Sequence, residues 1–188
     1  TSGGWTCGRN QPMPAGKPRL IVFGGLPGAG KSYLARALVG DGRLGPADLI
    51  EADAVRRVLF PEPTFRATEN RQLYAALHDL VVLGLDAGHS VVVDATNLRA
   101  EHRAGYAAAA AAHGARYYLI WVFTTEAVAL ARLAERIGTD PRPTHGPGLY
   151  KAREHMQATM QRPESALLVD GTRDVAGLVD GILQYVGR

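Results

Sequence analysis

Gly25-Leu26-Pro27-Gly28-Ala29-Gly30-Lys31-Ser32 is the stretch on which the reading of this chain turns. It matches G-x-x-x-x-G-K-[S/T], the P-loop pattern, in which a glycine-rich backbone cradles phosphate oxygens. The apolar run Leu20-Ile21-Val22-Phe23 before it reads as a buried strand, and residues 33–39 after it read as a helix. That context gives each residue type a task. Gly25, Gly28 and Gly30 let the backbone curl so that successive N–H groups face an anion. The helix starting near Lys31 adds the positive end of its dipole. Lys31 is placed to reach the β- and γ-phosphates, and Ser32 to offer a hydroxyl to Mg²⁺. Gly25, Pro27, Gly28, Ala29, Gly30, Lys31, Ser32 and Tyr33 are therefore the expected ATP-binding residues.

The surrounding composition narrows the class. With 188 residues the chain is long enough for one α/β domain with a sizeable core. Its 46% hydrophobic and 21% charged content is that of a globular protein rather than a disordered one. The single cysteine, Cys7, excludes an internal disulfide framework and a cysteine-based zinc site. The six histidines show no metal-ligand spacing. No apolar run approaches the ~20 residues that span a bilayer, and no secretory signal is visible, so the expectation is a cytoplasmic protein with no membrane partner. A net charge of +3 permits an anionic substrate without establishing nucleic-acid binding.

Residues 1–17 hold four glycines and two prolines without apolar periodicity, and read as a flexible leader. The missing initiating Met points to processing or an excised domain. Residues 18–188 are then a single domain. Strand patterns fall at 20–23, 49–50, 91–93, 117–123 and 167–169. Helical patterns fall at 31–39, 54–59, 68–86, 99–113, 125–137, 149–160 and 175–185. Short apolar strands alternating with amphipathic helices imply a parallel sheet of about five strands covered on both faces, the P-loop NTPase type of α/β fold. Ligands bind beyond the carboxyl ends of such strands, so the other strand ends are where acceptor chemistry is expected.

The second strand runs into Glu51-Ala52-Asp53-Ala54-Val55-Arg56. Asp53 and Arg56, three apart at a helix start, share one face. Asp53 either takes the proton of an attacking hydroxyl or caps the helix. Arg56 either holds an anionic group of the acceptor or is a surface charge. The third strand ends in Asp94, in the position of a carboxylate that reaches Mg²⁺ or its water shell. Ala95 follows where many P-loop ATPases carry a water-polarising Glu, which argues against a hydrolase. No Asn-Lys-x-Asp guanine-recognition motif is present. Thr96 and Asn97 either bind the acceptor or shape the turn. Arg132 and Arg136 lie four apart on one helical face, ahead of the Pro/Gly-rich segment 138–148. Together, residues 132–148 read as a lid, whose arginine either neutralises the transferred phosphoryl group or belongs to a solvated helix face beside Glu135. Phe60, the Pro61-Glu62-Pro63 segment, Phe65 and Tyr74 are expected to wall the acceptor site.

GLPGAGKS, EADAVR, VVVDATNL with Arg103 shortly after, and ARLAER before a Pro-rich segment together resemble one group of P-loop kinases. It includes polynucleotide 5′-kinases, zeta-type toxins and chloramphenicol phosphotransferase. The resemblance spans residues 19–171. It is closest to the kinase domain of polynucleotide kinases, and implies Asp53 as general base and Arg56 as the clamp on an acceptor-strand phosphate. It also implies that Arg132 or Arg136 contacts the donor phosphate. The resulting expectation is an ATP- and Mg²⁺-dependent kinase, with Lys31, Asp53, Arg132 and Arg136 catalytic, Ser32 and Asp94 at the metal, and Asp53, Arg56, Thr96 and Asn97 at the acceptor. The acceptor is a 5′-hydroxyl nucleic acid or, alternatively, an antibiotic, sugar or metabolite hydroxyl. A further alternative is a non-catalytic ATP-binding switch.

Overall fold

The computed structural model describes residues 16–139 and 165–187. Five strands form one sheet in the order β2-β3-β1-β4-β5: β1 (Arg19–Gly24), β2 (Ala47–Glu51), β3 (Ser90–Asp94), β4 (Arg116–Phe123) and β5 (Leu167–Asp170). All neighbours are parallel, with β1 central between β3 (Leu20 opposite Val91) and β4 (Leu20 opposite Tyr117). This is the P-loop NTPase-type α/β fold read from the sequence. The helices between the strands are α1 (Lys31–Gly40), α2 (Ala52–Leu59), α3 (Ala67–Asp86), α4 (Ala100–Ala112) and α5 (Glu126–Thr139), with α6 (Val175–Val186) last.

Strands β1 and β3 are buried throughout, which is why they read as unbroken apolar runs rather than alternating ones. The alternation is instead between two cores. Ile21 and Phe23 join Leu34, Leu38, Ile182 and Val186 on the face covered by α1 and α6. Leu20 and Val22 join Leu73, Leu77, Val81 and Tyr106 on the face covered by α3 and α4. A small third cluster, Ala129 and Leu133 with Leu26 and Leu130, seats α5 on the P-loop itself.

Parallel pairing brings every strand to the same edge with its carboxyl end. The loops after β1, β2, β3 and β5 are thereby gathered there. Four helix starts differ from the sequence reading, those of α4 and α5 by one residue. Helix α2 begins at Ala52, two residues before the expected 54, and α3 begins at Ala67. The expected leader falls almost wholly on residues 1–15, and the expected helix at 149–160 wholly outside the described residues. The lid segment is described only as far as 139, where it is the end of α5.

Candidate active site

The P-loop has glycine at three positions of positive φ, and at two of them a Cβ would also collide with backbone. Gly25 has φ 131°, and a Cβ there would collide with the Val122 carbonyl of β4. Gly28 has φ 78°, and its Cβ would lie 2.6 Å from the Ala129 carbonyl of α5. The Gly25 N–H donates to the Thr96 carbonyl (3.0 Å), and that of Ala29 to the Leu26 carbonyl (3.3 Å). These two bonds shape the loop. Gly30, with φ 103°, is the N-cap of α1, and no side chain caps the first-turn amides. A helix start whose amides no side chain caps, opening on a cavity, has the chemistry to hold an anion.

That cavity is lined by Pro27, Gly28, Gly30, Lys31 and Ser32 on one side, and by Asp53, Arg56, Phe65, Leu73 and Tyr74 on the other. Asp94, Thr96 and Arg136 also border it. Lys31 is buried, and its ammonium donates to the Leu26 carbonyl (2.8 Å). Asp94 is buried too. Burial raises its pKa above the ordinary 3.8, while Lys31 and a hydrogen bond from Ser32 lower it, and the Asp53 and Glu51 charges raise it further. Around Asp94 the Asp53 and Glu51 carboxylates stand with the Lys31 ammonium, and Glu51 is itself paired with Arg36 (2.6 Å). A hydroxyl and a carboxylate side by side in such a field suit a hard divalent cation that takes its remaining ligands from phosphate and water. Among the described residues no group of three His, Cys, Asp or Glu side chains is placed to hold a metal.

Asp53 stands in the first turn of α2, exposed to the cavity, and the N-cap position belongs to Glu51, which makes no side-chain cap bond. The capping alternative for Asp53 therefore falls, because the helix starts before it. Arg56 lies on the same helix and is only 6% exposed, so the surface-charge alternative falls as well. Its guanidinium donates to Glu69 and to Asn70 Oδ1 (2.7 Å), and lies over the Phe65 ring at 4.7 Å.

Thr96 lines the cavity, with its hydroxyl 3.5 Å from that of Tyr74. Asn97 does not line it. It is fully buried with φ 47°, and its amide donates to the Phe23 carbonyl (2.7 Å). The turn-shaping alternative describes Asn97, whose short polar side chain suits left-handed backbone. Arg103, also buried, donates to the carbonyls of Asn97 (2.9 Å) and Leu98 (2.6 Å) and so clamps the same turn.

Arg132 and Arg136, both on α5, are separated by their surroundings. Arg132 donates to the carbonyls of Gly28 (3.2 Å), Ala29 (3.4 Å) and Gly171 (2.9 Å), binding the P-loop to the loop after β5. Arg136, one turn further on, borders the cavity beside Lys31 and Asp53. Of the expected acceptor wall, Phe65 and Tyr74 line the cavity with Leu73; Phe60 packs into the core beneath, and residues 61–63 are not part of the lining.

A second cavity adjoins the P-loop on its far side. It is bounded by Tyr33, Leu34, Arg132 and Arg136, and by the loop Gly171-Thr172-Arg173-Asp174 after β5. The sequence reading did not single out this loop. Its signal was a glycine directly after the fifth strand. A Cβ on Gly171 would collide with the Ala29 carbonyl of the P-loop. Asp170 holds the turn by accepting from the Thr172 N–H (3.0 Å) and hydroxyl (2.7 Å), and Asp174 caps α6 through the Gly177 N–H (2.9 Å). No helix among the described residues is long and apolar enough to cross a membrane.

Comparison with known proteins agrees with this architecture. A family model described as an AAA domain matches residues 20–163, most of the chain. The chain belongs to this AAA-domain family. Among solved structures, APS kinase of Mycobacterium tuberculosis in complex with AMPPNP and APS superposes with a TM-score of 0.69 at 23% identity, over 92% of this chain and 99% of that one. A gluconokinase from Sinorhizobium meliloti gives 0.66 at 21% identity, over 91% and 93%. Kti12 of Chaetomium thermophilum in complex with ADP-AlF3 gives 0.69 at 18% identity, over 89% and 98%. At these identities the likeness is one of fold, the α/β fold of the P-loop NTPase type. No curated protein matches the chain.

Proposed function

We propose that the protein is an ATP- and Mg²⁺-dependent kinase that transfers the γ-phosphoryl group to a hydroxyl of a small molecule. One observation carries the reading: the P-loop residues Lys31 and Ser32 and the α2 residues Asp53 and Arg56 face a single cavity. A nucleotide switch has no use for a carboxylate and an arginine opposite its phosphates, whereas a phosphotransferase needs both halves in one enclosure.

ATP lays its β- and γ-phosphates against the amides of Gly28 and Gly30 and the Lys31 ammonium. Its nucleoside part extends toward the second cavity, between Arg132 and the loop after β5. Ser32 and Asp94 would hold Mg²⁺, which would supply neutralisation of the phosphate charge. Asp53 accepts the proton as the acceptor oxygen bonds to the γ-phosphorus and the bond to the β-phosphate oxygen breaks, releasing ADP. Arg136 balances charge on the equatorial oxygens, and Arg132 keeps the loops that frame them in register.

The choice between a nucleic-acid and a small-molecule acceptor rests on the cavity wall. Phe65, Leu73 and Tyr74 give the side of the cavity around Arg56 apolar faces, which supports a metabolite pocket over an open basic groove. Solved proteins of this fold include an APS kinase and a gluconokinase, which is in keeping with a small acceptor. The test is incubation with γ-labelled ATP and a panel of 5′-hydroxyl oligonucleotides, nucleosides, sugars and hydroxylated antibiotics. Label on a small acceptor is expected. Label on oligonucleotides alone would return the protein to the polynucleotide reading, and slow phosphate release with no labelled acceptor would make it a switch.

A further inference from the structure

Glu69 organises the acceptor half of the cavity, although no motif marks it. It sits in the first turn of α3 and is only 6% exposed. One carboxylate oxygen accepts from Arg56. The other accepts from the Thr64 N–H (2.6 Å), the Thr64 hydroxyl (2.9 Å) and the Phe65 N–H (3.0 Å). Asn70, one residue on, accepts from Arg56 and donates to the Phe65 carbonyl (3.3 Å). Phe65 is thereby gripped at both its backbone polar groups. It has φ 58°, a conformation that an aromatic residue adopts only when its surroundings over-determine it. The result is a fixed wall: the ring under the guanidinium, and the guanidinium against the carboxylate.

The charge of that wall follows. Burial works against an ionised Glu69, but the hydrogen bonds from Thr64 and Arg56 outweigh it and hold the carboxyl below its ordinary range. Arg56 and Glu69 therefore form a buried pair with almost no net charge. A phosphate set down beside Arg56 would lose its hydration and gain little Coulomb energy in return, since the guanidinium already has its counter-ion. An uncharged hydroxyl or ring amide meets no such penalty, because it can use the remaining guanidinium N–H groups and the Phe65 and Tyr74 faces.

We infer that Glu69 is a specificity-determining positioning residue that sets this subsite for an uncharged acceptor, a polyol or a hydroxylated heterocycle, against one carrying a phosphate. The inference rests on the kinase reading for the word acceptor, but its test does not depend on turnover. The full-length protein loaded with Mg²⁺ and AMPPNP is titrated calorimetrically with matched probes: uridine against uridine 3′-monophosphate, and glucose against glucose 1-phosphate. The unphosphorylated member is expected to bind at least about tenfold more tightly in each pair, a difference of about 1.4 kcal/mol. Glu69→Gln frees the Arg56 charge and should cut that ratio by about tenfold, with AMPPNP affinity unchanged.

The double variant Arg56→Gln/Glu69→Gln is neutral again and should regain the wild-type order of preference. It decides the matter together with the wild-type ratio if Glu69→Gln does not fold. Tighter wild-type binding of the phosphorylated members would overturn the inference. So would saturable binding of no unphosphorylated probe, or equal weakening of both members by Glu69→Gln. The two readings fail separately. Preserved selectivity without phosphoryl transfer strikes only the kinase, and transfer confined to phosphorylated acceptors strikes only the role of Glu69.

Discussion

The two halves of the cavity are built on opposite principles. The donor half is mostly backbone: glycines at φ values closed to other residues, an uncapped helix start, and one buried lysine held by a loop carbonyl. The acceptor half is mostly side chain: Asp53 and Arg56 from α2, Phe65 from the following loop, and Glu69, Leu73 and Tyr74 from α3. A triphosphate presents the same oxygens in every such protein, so a fixed backbone cradle serves it. Acceptors differ, and side chains on two helices and a loop can be exchanged without disturbing the sheet.

If that contrast is right, damage to the two halves should separate kinetically. Lys31→Ala removes the charge proposed to face the β- and γ-phosphates and should lower kcat by about 10³-fold with the fold intact by circular dichroism. Phosphoryl transfer at the wild-type rate would break the assignment of the donor half. Asp53→Asn keeps the shape of the acceptor half but cannot take a proton. A loss of about 10²-fold in kcat is expected, with the affinity for AMPPNP unchanged. Equal losses in transfer and nucleotide affinity would mean that Asp53 belongs to the donor side.

The same contrast explains what could be read from sequence. The P-loop, the Asp94 strand end and the pairing of Asp53 with Arg56 are local patterns, fixed by spacing along one strand end or one helix turn. The Arg56–Glu69 pair spans a loop whose path depends on the positive φ of Phe65, which no residue type announces. Arg132 and Arg136 could not be told apart because both lie on one helical face, and only the carbonyls of Gly28, Ala29 and Gly171 distinguish them. Asn97 was left between acceptor and turn because the Phe23 carbonyl it holds is 74 residues away in the chain. Gly171 went unread for a similar reason: its constraint comes from the P-loop packed against it, not from its neighbours in sequence.

Gly171→Ala sharpens the comparison because it strikes the donor half from outside the motif. The added methyl must displace the Ala29 carbonyl, so the P-loop shifts or the loop after β5 retreats. Overpacking of this kind costs about 1–3 kcal/mol, read as a lowered melting temperature, and a higher KM for ATP should accompany it. The KM for the acceptor should hardly move. A variant with wild-type melting temperature and wild-type KM for ATP would show that the two loops do not depend on each other.

Asp94→Asn gives the smallest effect and the opposite sign. In the ligand-free protein the buried Asp94 carboxylate is disfavoured, since burial and the neighbouring Asp53 and Glu51 charges outweigh the help of Lys31 and Ser32. An amide of the same shape removes that penalty, so the free variant should be more stable than the wild type by about 1 kcal/mol in urea unfolding. With Mg²⁺ and AMPPNP present the order should reverse, because the carboxylate is then matched by the cation and the variant has lost a ligand. Destabilisation of the free protein by Asp94→Asn would mean that Lys31 depends on this carboxylate even without nucleotide. The donor half would then be held by side-chain charge as the acceptor half is, and the contrast between the two would narrow to their glycines.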